Sequence, residues 1–261
     1  MKLPLLSSAL VLGTVTLAQA QQGGKPEDTE VYEPVPKVVV ASPNLAPPPA
    51  DAIVLFNGKD LSQWVMTEDH TTPAKWKVAG GVFTVDKSTG NIETKQAFTN
   101  YQLHIEWRVP ANITGTGQAR GNSGLFLASL GKGDLGYELQ ILDSYNNKTY
   151  VNGMAGSIYK QRVPLANPTR KPGEWQSYDV VWLAPTFKAD GSLQTPARVT
   201  VIFNGVVVQN NVELAGPTQY IGPAAYRQPH GPSPIKLQSH GDKSEPNSFR
   251  NIWIRELESR P

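Results

Sequence analysis

The sequence has 261 residues, with 24 lysines and arginines against 22 aspartates and glutamates, which is enough chain to bury one large core. The nearly balanced charge offers no electrostatic footprint for nucleic acid, so DNA and RNA are not expected partners. The absence of cysteine excludes disulfides, thiolate zinc sites and a cysteine nucleophile, so catalysis would depend on carboxylates, imidazoles, hydroxyls or amines.

Residues 1–20 predict a secretory signal peptide. Lys2 precedes an apolar stretch, and Ala18 and Ala20 form the small-x-small pattern of a cleavage site. The stretch is shorter than a transmembrane anchor and contains serines and threonines. No cysteine follows that could carry a lipid anchor. We therefore expect a secreted or periplasmic protein that does not bind a membrane once the leader is removed.

Residues 21–50 predict a proline-rich linker, which ends in three consecutive prolines at positions 47–49. Such a segment favours extended conformations and does not form a packed unit of its own. The three valines at 38–40 predict a short strand against the edge of the domain. We expect the folded domain to cover residues 51–261.

From residue 51 onward, short alternating apolar and polar runs are separated by turn residues, without a sustained helical period. The clearest strand covers 101–109, where Glu106 and Arg108 share the polar face. Hairpins are predicted at 76–85, around Gly80-Gly81, and at 198–208, around Asn204-Gly205. Further strands are predicted at 53–56, 92–98, 122–130, 137–142, 175–183, 235–239 and 249–256.

Many short strands without intervening helices predict an all-β fold, a two-sheet antiparallel jelly-roll sandwich of the lectin and glucanase kind. Residues 144–173 contain at most one predicted strand, at 156–160. Loops of this length are usually functional, so we expect this one to form a wall of a site.

Two strands carry polar side chains that could perform chemistry. Glu138 and Gln140 share one face of the strand at 137–142, and a carboxylate there is costly unless it is paired or lies in a groove. Asp143 has the opposite parity and could join Glu138 only through a bulge. Gln238 and His240 share parity near the C-terminus, and histidine is the usual general acid or base near neutral pH.

Eight segments, taken in order, resemble the 3-keto-disaccharide hydrolase family, formerly a domain of unknown function. They are LFNGKDLSQW at 55–64, LHIEWR at 103–108, GNSGLF at 121–126, YELQILD at 137–143, GEW at 173–175, NG at 204–205, LQSHG at 237–241 and FRNIWIR at 249–255. The resemblance implies a concanavalin-like jelly roll that acts on 3-keto-glycosides and 3-keto-disaccharides. It also implies a functional partner, a sugar 3-dehydrogenase that oxidises the substrate first.

Cleavage of such a sugar makes chemical sense without a pair of carboxylates. A ketone at C3 acidifies the hydrogen on C2, so a base can remove it and the enolate can expel the glycosidic oxygen from C1 before water adds. On the resemblance, the expected catalytic residues are Glu138, His240 and Asp143. The expected substrate-binding residues are Glu106, Arg108, Asn122, Gln140, Lys160, Gln238 and Arg250.

Three questions stay open at the level of sequence. A divalent metal could polarise the ketone, but no acidic ligand motif supports a metal or another cofactor. A non-catalytic, lectin-like carbohydrate-binding module would share the fold and would lack a cluster of perturbed acids and bases. A conventional jelly-roll glucanase fits poorly, because Gln140 takes the place of an acid.

Overall fold

The computed structural model describes residues 24–35, 37–38 and 48–257. The predicted signal peptide at 1–20 lies outside the described residues. Within the described ranges, the structure contains no helix that is both long and apolar enough to cross a membrane.

The described chain is almost entirely β, which confirms the predicted fold class. Its strands are β1 (Lys37–Val38), β2 (Ile53–Phe56), β3 (Trp64–Met66), β4 (Lys77–Ala79), β5 (Val82–Thr84), β6 (Ile92–Thr94), β7 (Tyr101–Arg108), β8 (Ser123–Ser129), β9 (Gly136–Ile141), β10 (Ala166–Asn167), β11 (Gln176–Leu183), β12 (Thr186–Phe187), β13 (Leu193–Thr195), β14 (Arg198–Phe203), β15 (Val206–Glu213), β16 (Lys236–Leu237) and β17 (Ser248–Glu256). Short 3-10 helices occur at Pro26–Thr29, Gly117–Ala119 and Val151–Gly153.

Two antiparallel sheets make up the sandwich. The larger, with eight strands, runs in the order β15-β14-β11-β7-β17-β5-β4, and β2 also pairs with β17. The smaller, with five strands, runs in the order β3-β6-β16-β8-β9. This arrangement confirms the predicted antiparallel jelly-roll sandwich.

The two sheets pack through the apolar faces of their strands. Tyr101 of β7 donates a hydrogen bond to the Leu127 carbonyl of β8, and Tyr178 of β11 donates one to the Gln140 carbonyl of β9. The rings of Tyr137 and Trp182 also meet across the interface, 5.2 Å apart. Because side chains alternate along a strand, the polar positions of each sheet point away from this core, toward opposite outer surfaces.

The predicted hairpins are confirmed. Asn204 and Gly205, which join β14 to β15, both have positive φ angles of 51° and 82°. Gly80 and Gly81, which join β4 to β5, have φ angles of 59° and 80°. Two positive φ angles are what a tight two-residue hairpin requires, and this explains the residue types at both turns.

Other local predictions need correction. The strand expected at 156–160 is wrong: Ile158 makes only isolated bridges, and Lys160 has a left-handed φ of 57°, which interrupts extended structure. The expected strand at 38–40 is seen in part, because Val38 pairs with Asn167 while 39–40 lie outside the described residues. Residues 24–35, expected as part of a linker, instead form hydrogen bonds with the domain.

Lys236 anchors the loop between β8 and β9. Its side chain is fully buried, and its ammonium group donates hydrogen bonds of 2.8 Å to the carbonyls of Gly131, Gly133 and Leu135. The same group lies 4.9 Å from the centre of the Phe126 ring. One buried cation therefore holds a loop that carries Asp134 beside the strand of Glu138.

Replacing Lys236 with methionine is expected to destabilise the protein. The substitution keeps an apolar stem but removes three charged hydrogen bonds, so we expect to lose about 2–4 kcal/mol of unfolding free energy, measured by chemical denaturation. Lys132→Met, in the same loop but at an exposed ion pair, is the matched control and should change little. Equal stability of the two variants would contradict this structural role for Lys236.

Candidate active site

A cavity of about 310 Å³ opens on the outer face of the five-stranded sheet. Its floor comes from neighbouring strands in register, where Gly124 pairs with Gln140 and Phe126 with Glu138. The backbone N–H of Gln238 donates a hydrogen bond to the Gly124 carbonyl of β8, which brings the segment at 237–241 beside that strand. The lining residues are Asn122, Asp134, Glu138, Gln140, Tyr159, Thr218, Tyr220, Gln238 and His240.

Five of the ten sequence-predicted site residues therefore come together: Glu138, His240, Asn122, Gln140 and Gln238. Tyr159 comes from the long loop at 144–173, which supplies a wall as expected. Asp134, Thr218 and Tyr220 were missed, because they lie in irregular loops whose path strand periodicity does not define.

Glu138 is a buried acid without a hydrogen-bond donor. Its side chain lies against Gly124, where an added Cβ would be 2.7 Å from the carboxyl oxygen Oε1. The pKa of Glu138 is raised to about 8. Burial is the main cause, the nearby Asp134 adds to the shift, and Lys236 opposes it. Among the described residues, no group donates a hydrogen bond to this carboxyl. Glu138 is therefore protonated at neutral pH and can donate a proton.

The space above Gly124 permits a direct test. Gly124→Ala should push the Glu138 carboxyl out of place and lower the activity of the site about tenfold to a hundredfold, because misplaced catalytic groups are costly. The assay is kcat/KM for whichever substrate the site turns over. Gly231→Ala, where a Cβ would meet open space, is the matched control. An unchanged kcat/KM in Gly124→Ala would show that Glu138 tolerates displacement.

His240 forms a pair with Asp242. The Nδ1 atom of His240 lies 2.8 Å from Oδ2 of Asp242 and 3.3 Å from the Asp242 backbone nitrogen. Burial alone would raise the pKa of Asp242, but hydrogen bonds from His240, Ser244 and Lys87 outweigh it and hold that pKa well below its usual range. An ionised carboxylate only accepts hydrogen bonds, so the shorter contact places the imidazole proton on Nδ1, in competition with the Asp242 backbone N–H, which points at the same nitrogen.

The other imidazole nitrogen is then free to act as a base. The side-chain amide nitrogen of Asn122, a hydrogen-bond donor, lies 3.5 Å from Nε2 of His240. The His240 side chain is 36% exposed and lines the cavity. The site thus combines an oriented base with a neutral acid, the division of roles that general acid-base catalysis requires.

Asp242 is the functional residue that sequence analysis missed. Its only signal was its position two residues after His240, across Gly241. The groups that keep it ionised could not be found from that spacing. Lys87, whose ammonium group lies 3.1 Å from Oδ1 of Asp242, is 155 residues away in the chain.

Amide side chains of the cavity offer unused acceptors. The Gln140 amide nitrogen donates to the Asn122 side-chain oxygen at 2.8 Å, while its own Oε1 is buried without a partner among the described residues. Oε1 of Gln238 is likewise buried, with no hydrogen-bond partner in the part of the chain that the structure describes. Unpaired buried oxygens are rare, and both of these belong to residues that line the cavity.

Three predicted binding residues lie elsewhere, and their placement corrects the sequence analysis. Glu106, Arg108 and Arg250 belong to β7 and β17 of the eight-stranded sheet, on its outer face and away from the cavity. Glu106 accepts hydrogen bonds from Arg250 and Asn251, both at 2.6 Å, and the guanidinium groups of Arg108 and Arg250 contact the Trp175 ring. Strand parity placed Glu106 and Arg108 on a polar face but did not show which sheet carries that face.

Asp143 and Lys160 are also absent from the cavity lining. Asp143 is fully buried and forms an ion pair of 2.7 Å with Arg120. The Lys160 ammonium group donates to the carbonyls of Pro26 and Tyr220, so it ties two neighbouring segments together. Neither residue therefore joins the candidate acid and base of the cavity, which are Glu138 and His240 with its partner Asp242.

The described part of the chain contains no cluster of three or more histidine, aspartate or glutamate side chains that could hold a metal ion. Among the described residues that line the cavity, burial raises the pKa of Glu138 to about 8 and the pKa of Tyr159 to about 12.

Comparison with known proteins identifies relatives of the whole domain. A crystal structure of a proposed glycosyl hydrolase from Parabacteroides distasonis ATCC 8503 is 56% identical, with a TM-score of 0.76, and the match covers 88% of this chain and 96% of that one. A second proposed glycosyl hydrolase from the same organism is 22% identical, with a TM-score of 0.57 over 79% of this chain and 94% of that one, and supports the fold alone. No curated protein matches this chain.

The family model described as a 3-keto-alpha-glucoside-1,2-lyase-like domain matches residues 51–255. This range includes every residue that lines the cavity, and it agrees with the resemblance found in the sequence motifs. The chain therefore belongs to the 3-keto-disaccharide hydrolase family, whose domain is described as 3-keto-alpha-glucoside-1,2-lyase-like.

Proposed function

We propose that the protein cleaves 3-keto-glycosides by removing a proton from C2, eliminating the group on C1 and then adding water. The observation that carries this proposal is the presence of a candidate proton donor and a candidate proton acceptor in one cavity. Glu138 is neutral at neutral pH, and His240 is oriented by an ionised Asp242. Family membership supports a substrate that is a glycoside.

The proposed elimination uses each group once. Nε2 of His240 takes the proton from C2, and the electrons of that C–H bond form the double bond between C1 and C2. The bond between C1 and the glycosidic oxygen breaks, and Glu138 gives its proton to that oxygen, so the leaving group departs as an alcohol. Water then adds at C1, with a proton returned to C2, to yield the free 3-keto sugar.

The described cavity fits this route better than direct displacement at C1. A retaining glucanase needs two carboxyl groups about 5–5.5 Å apart, one of them an ionised nucleophile. Here β9, the strand that carries Glu138, has the amide of Gln140 where a glucanase would have an acid. Asp143 is paired with Arg120 outside the cavity. Elimination from a ketosugar instead requires one base and one acid.

A lectin-like module is the second candidate, because it would share the fold. Such a module gains nothing from a buried acid whose pKa is raised to about 8 beside an oriented imidazole. Perturbed ionisation of this kind is typical of catalytic sites, and it favours the enzyme.

Turnover of defined sugars tests the proposal. The chain is incubated with 3-keto-trehalose, with methyl 3-keto-α-glucoside and with the two unoxidised parent sugars, and released sugar is measured. We expect release only from the oxidised compounds. Failure to cleave any keto sugar, together with tight binding of unoxidised glycans, would favour the lectin instead.

The proposed substrate implies a place in a reaction sequence. Glycosides do not normally carry a ketone at C3, so a sugar 3-dehydrogenase must supply the substrate. We propose that both reactions occur outside the cytoplasm, in the periplasm or the surrounding medium, because residues 1–20 resemble an export signal.

A further inference from the structure

Residues 24–35, which we call the N-terminal strap, are held on the domain by a buried asparagine. Asn152, whose exposed fraction is 3%, accepts a hydrogen bond from the Val31 backbone nitrogen at 3.0 Å and donates one to the Thr29 carbonyl at 2.9 Å. Both polar groups of this side chain are thus satisfied by the strap. A buried amide left without them would be costly, so the domain is built to receive the strap.

A second anchor lies nearer the active site. The Lys160 ammonium group donates to the Pro26 carbonyl of the strap at 2.7 Å and to the Tyr220 carbonyl at 3.0 Å. It also lies 4.9 Å from the centre of the Tyr220 ring. Lys160 therefore joins the strap to the loop that forms one wall of the catalytic cavity.

Strap and domain together enclose a second cavity of about 380 Å³. It shares Asn122, Tyr159, Tyr220 and His240 with the catalytic cavity, so the two spaces adjoin beside the proposed base. From the strap itself, Glu27 and Glu30 line the second cavity. The strap lies outside residues 51–255, the range matched by the family model.

The chemistry of the second cavity suits a sugar ring. Tyr150, Tyr159 and Tyr220 line it: Tyr150 and Tyr159 are buried, with their hydroxyl oxygens 2.7 Å apart, while Tyr220 is exposed and offers its ring and hydroxyl group. The carboxylates of Glu27 and Glu30 can accept hydrogen bonds from sugar hydroxyls. Acidic groups at the same place would repel an anionic group.

We propose that the N-terminal strap completes a second subsite, which binds the leaving-group sugar of a disaccharide while the oxidised sugar occupies the catalytic cavity. The inference rests on the proposed function and adds a specificity to it. A neutral second sugar ring is favoured over an anionic leaving group. A small leaving group, such as methanol, makes no use of the strap.

A comparison of two substrates tests the subsite. In the full chain, the double variant Glu27→Ala with Glu30→Ala should lower kcat/KM for 3-keto-trehalose about tenfold, mainly through KM, because hydrogen bonds to the second ring are lost. The same variant should change kcat/KM for methyl 3-keto-α-glucoside less than about twofold. Lys160→Met, which releases an anchor of the strap, should show the same selectivity.

Glu33→Ala is the matched control, because Glu33 lies on the strap but lines a different cavity. Equal losses on both substrates, or no loss on either, would overturn the subsite. If the unaltered chain cleaves neither substrate, the proposed function has failed. Calorimetric binding of trehalose then decides the subsite separately: binding weakened by the double variant supports it, and binding that is absent or unaffected overturns it.

Discussion

His240→Ala is expected to lower kcat/KM for a 3-keto-glycoside about a thousandfold. Among the described residues that line the cavity, His240 carries the only imidazole, and the Asp242 carboxylate orients it; general base catalysis typically contributes 10²–10⁴-fold. His70→Ala is the control, because His70 lies outside the cavity and should leave kcat/KM within about twofold. A loss below tenfold in His240→Ala would remove the imidazole from the mechanism.

Asp242 extends this prediction by one step. Asp242→Asn keeps the shape of the side chain but removes the charge that holds the imidazole proton on Nδ1, so we expect about a hundredfold lower kcat. Because Asp242 acts through His240, the double variant Asp242→Asn with His240→Ala should be no worse than His240→Ala alone. Multiplied losses in the double variant would show that Asp242 has an independent role.

Glu138→Gln is the second substitution with a large expected effect. Glutamine fills the same space but cannot give up a proton to the leaving group, so kcat/KM should fall about a hundredfold to a thousandfold. Glu93→Gln is the matched control: Glu93 is a buried glutamate of the same sheet that accepts a hydrogen bond from Ser129 and lies outside the cavity lining. Activity of Glu138→Gln equal to that of the control would contradict the role of Glu138.

The same residue predicts a pH dependence of activity. Glu138 must be protonated to act as an acid, and its pKa is raised to about 8 by burial. Wild-type kcat/KM should therefore fall as the pH rises through about 8. In Glu138→Gln the residual activity should lack this fall, since the titrating group is gone.

Stability should also fall as the pH rises. The pKa of Glu138 is raised on folding, so its protonated form favours the folded state below the ordinary value of 4.5, and this contribution is lost as the pH rises toward about 8. Glu138→Gln should consequently raise the melting temperature, by roughly 2–4 °C for each kcal/mol gained, and more at high pH than at low pH. A melting temperature below that of the wild type at high pH would contradict an uncompensated buried carboxylate.

Strand periodicity predicted one side of the site well. Glu138 with Gln140, and Gln238 with His240, were each assigned a common face from alternation alone, and all four line one cavity. Alternation did not reveal which sheet a strand joins, because that depends on pairing between distant segments. Glu106 and Arg250 were placed in the site on the family resemblance, although they are paired to each other on the opposite surface.

The remaining parts of the site depend on contacts that leave no local pattern. Lys87 reaches Asp242 across 155 residues, and Asn152 binds a strap 121 residues before it. The strap was predicted as part of an unpacked linker because residues 21–50 are rich in proline and poor in aromatic residues. Composition describes what a segment does alone and cannot report the anchors that another part of the chain provides.

Several energetically unfavourable features lie at the same cavity. Glu138 is buried without a donor, and Gln140 and Gln238 each bury an oxygen without a partner among the described residues. Natural proteins keep such features mainly at functional sites, where substrate or transition state supplies the missing contacts. The convergence supports a cavity shaped for a polar ligand and for proton transfer.

Deuterium incorporation from heavy water tests the central claim most directly. The chain cleaves methyl 3-keto-α-glucoside in D₂O, and the released sugar is examined by mass spectrometry and NMR against a sample without enzyme. Elimination through C2 predicts one solvent deuteron at C2 of the product, formed at the rate of cleavage. Cleavage that leaves the original hydrogen on C2 would contradict the account and indicate direct hydrolysis at C1.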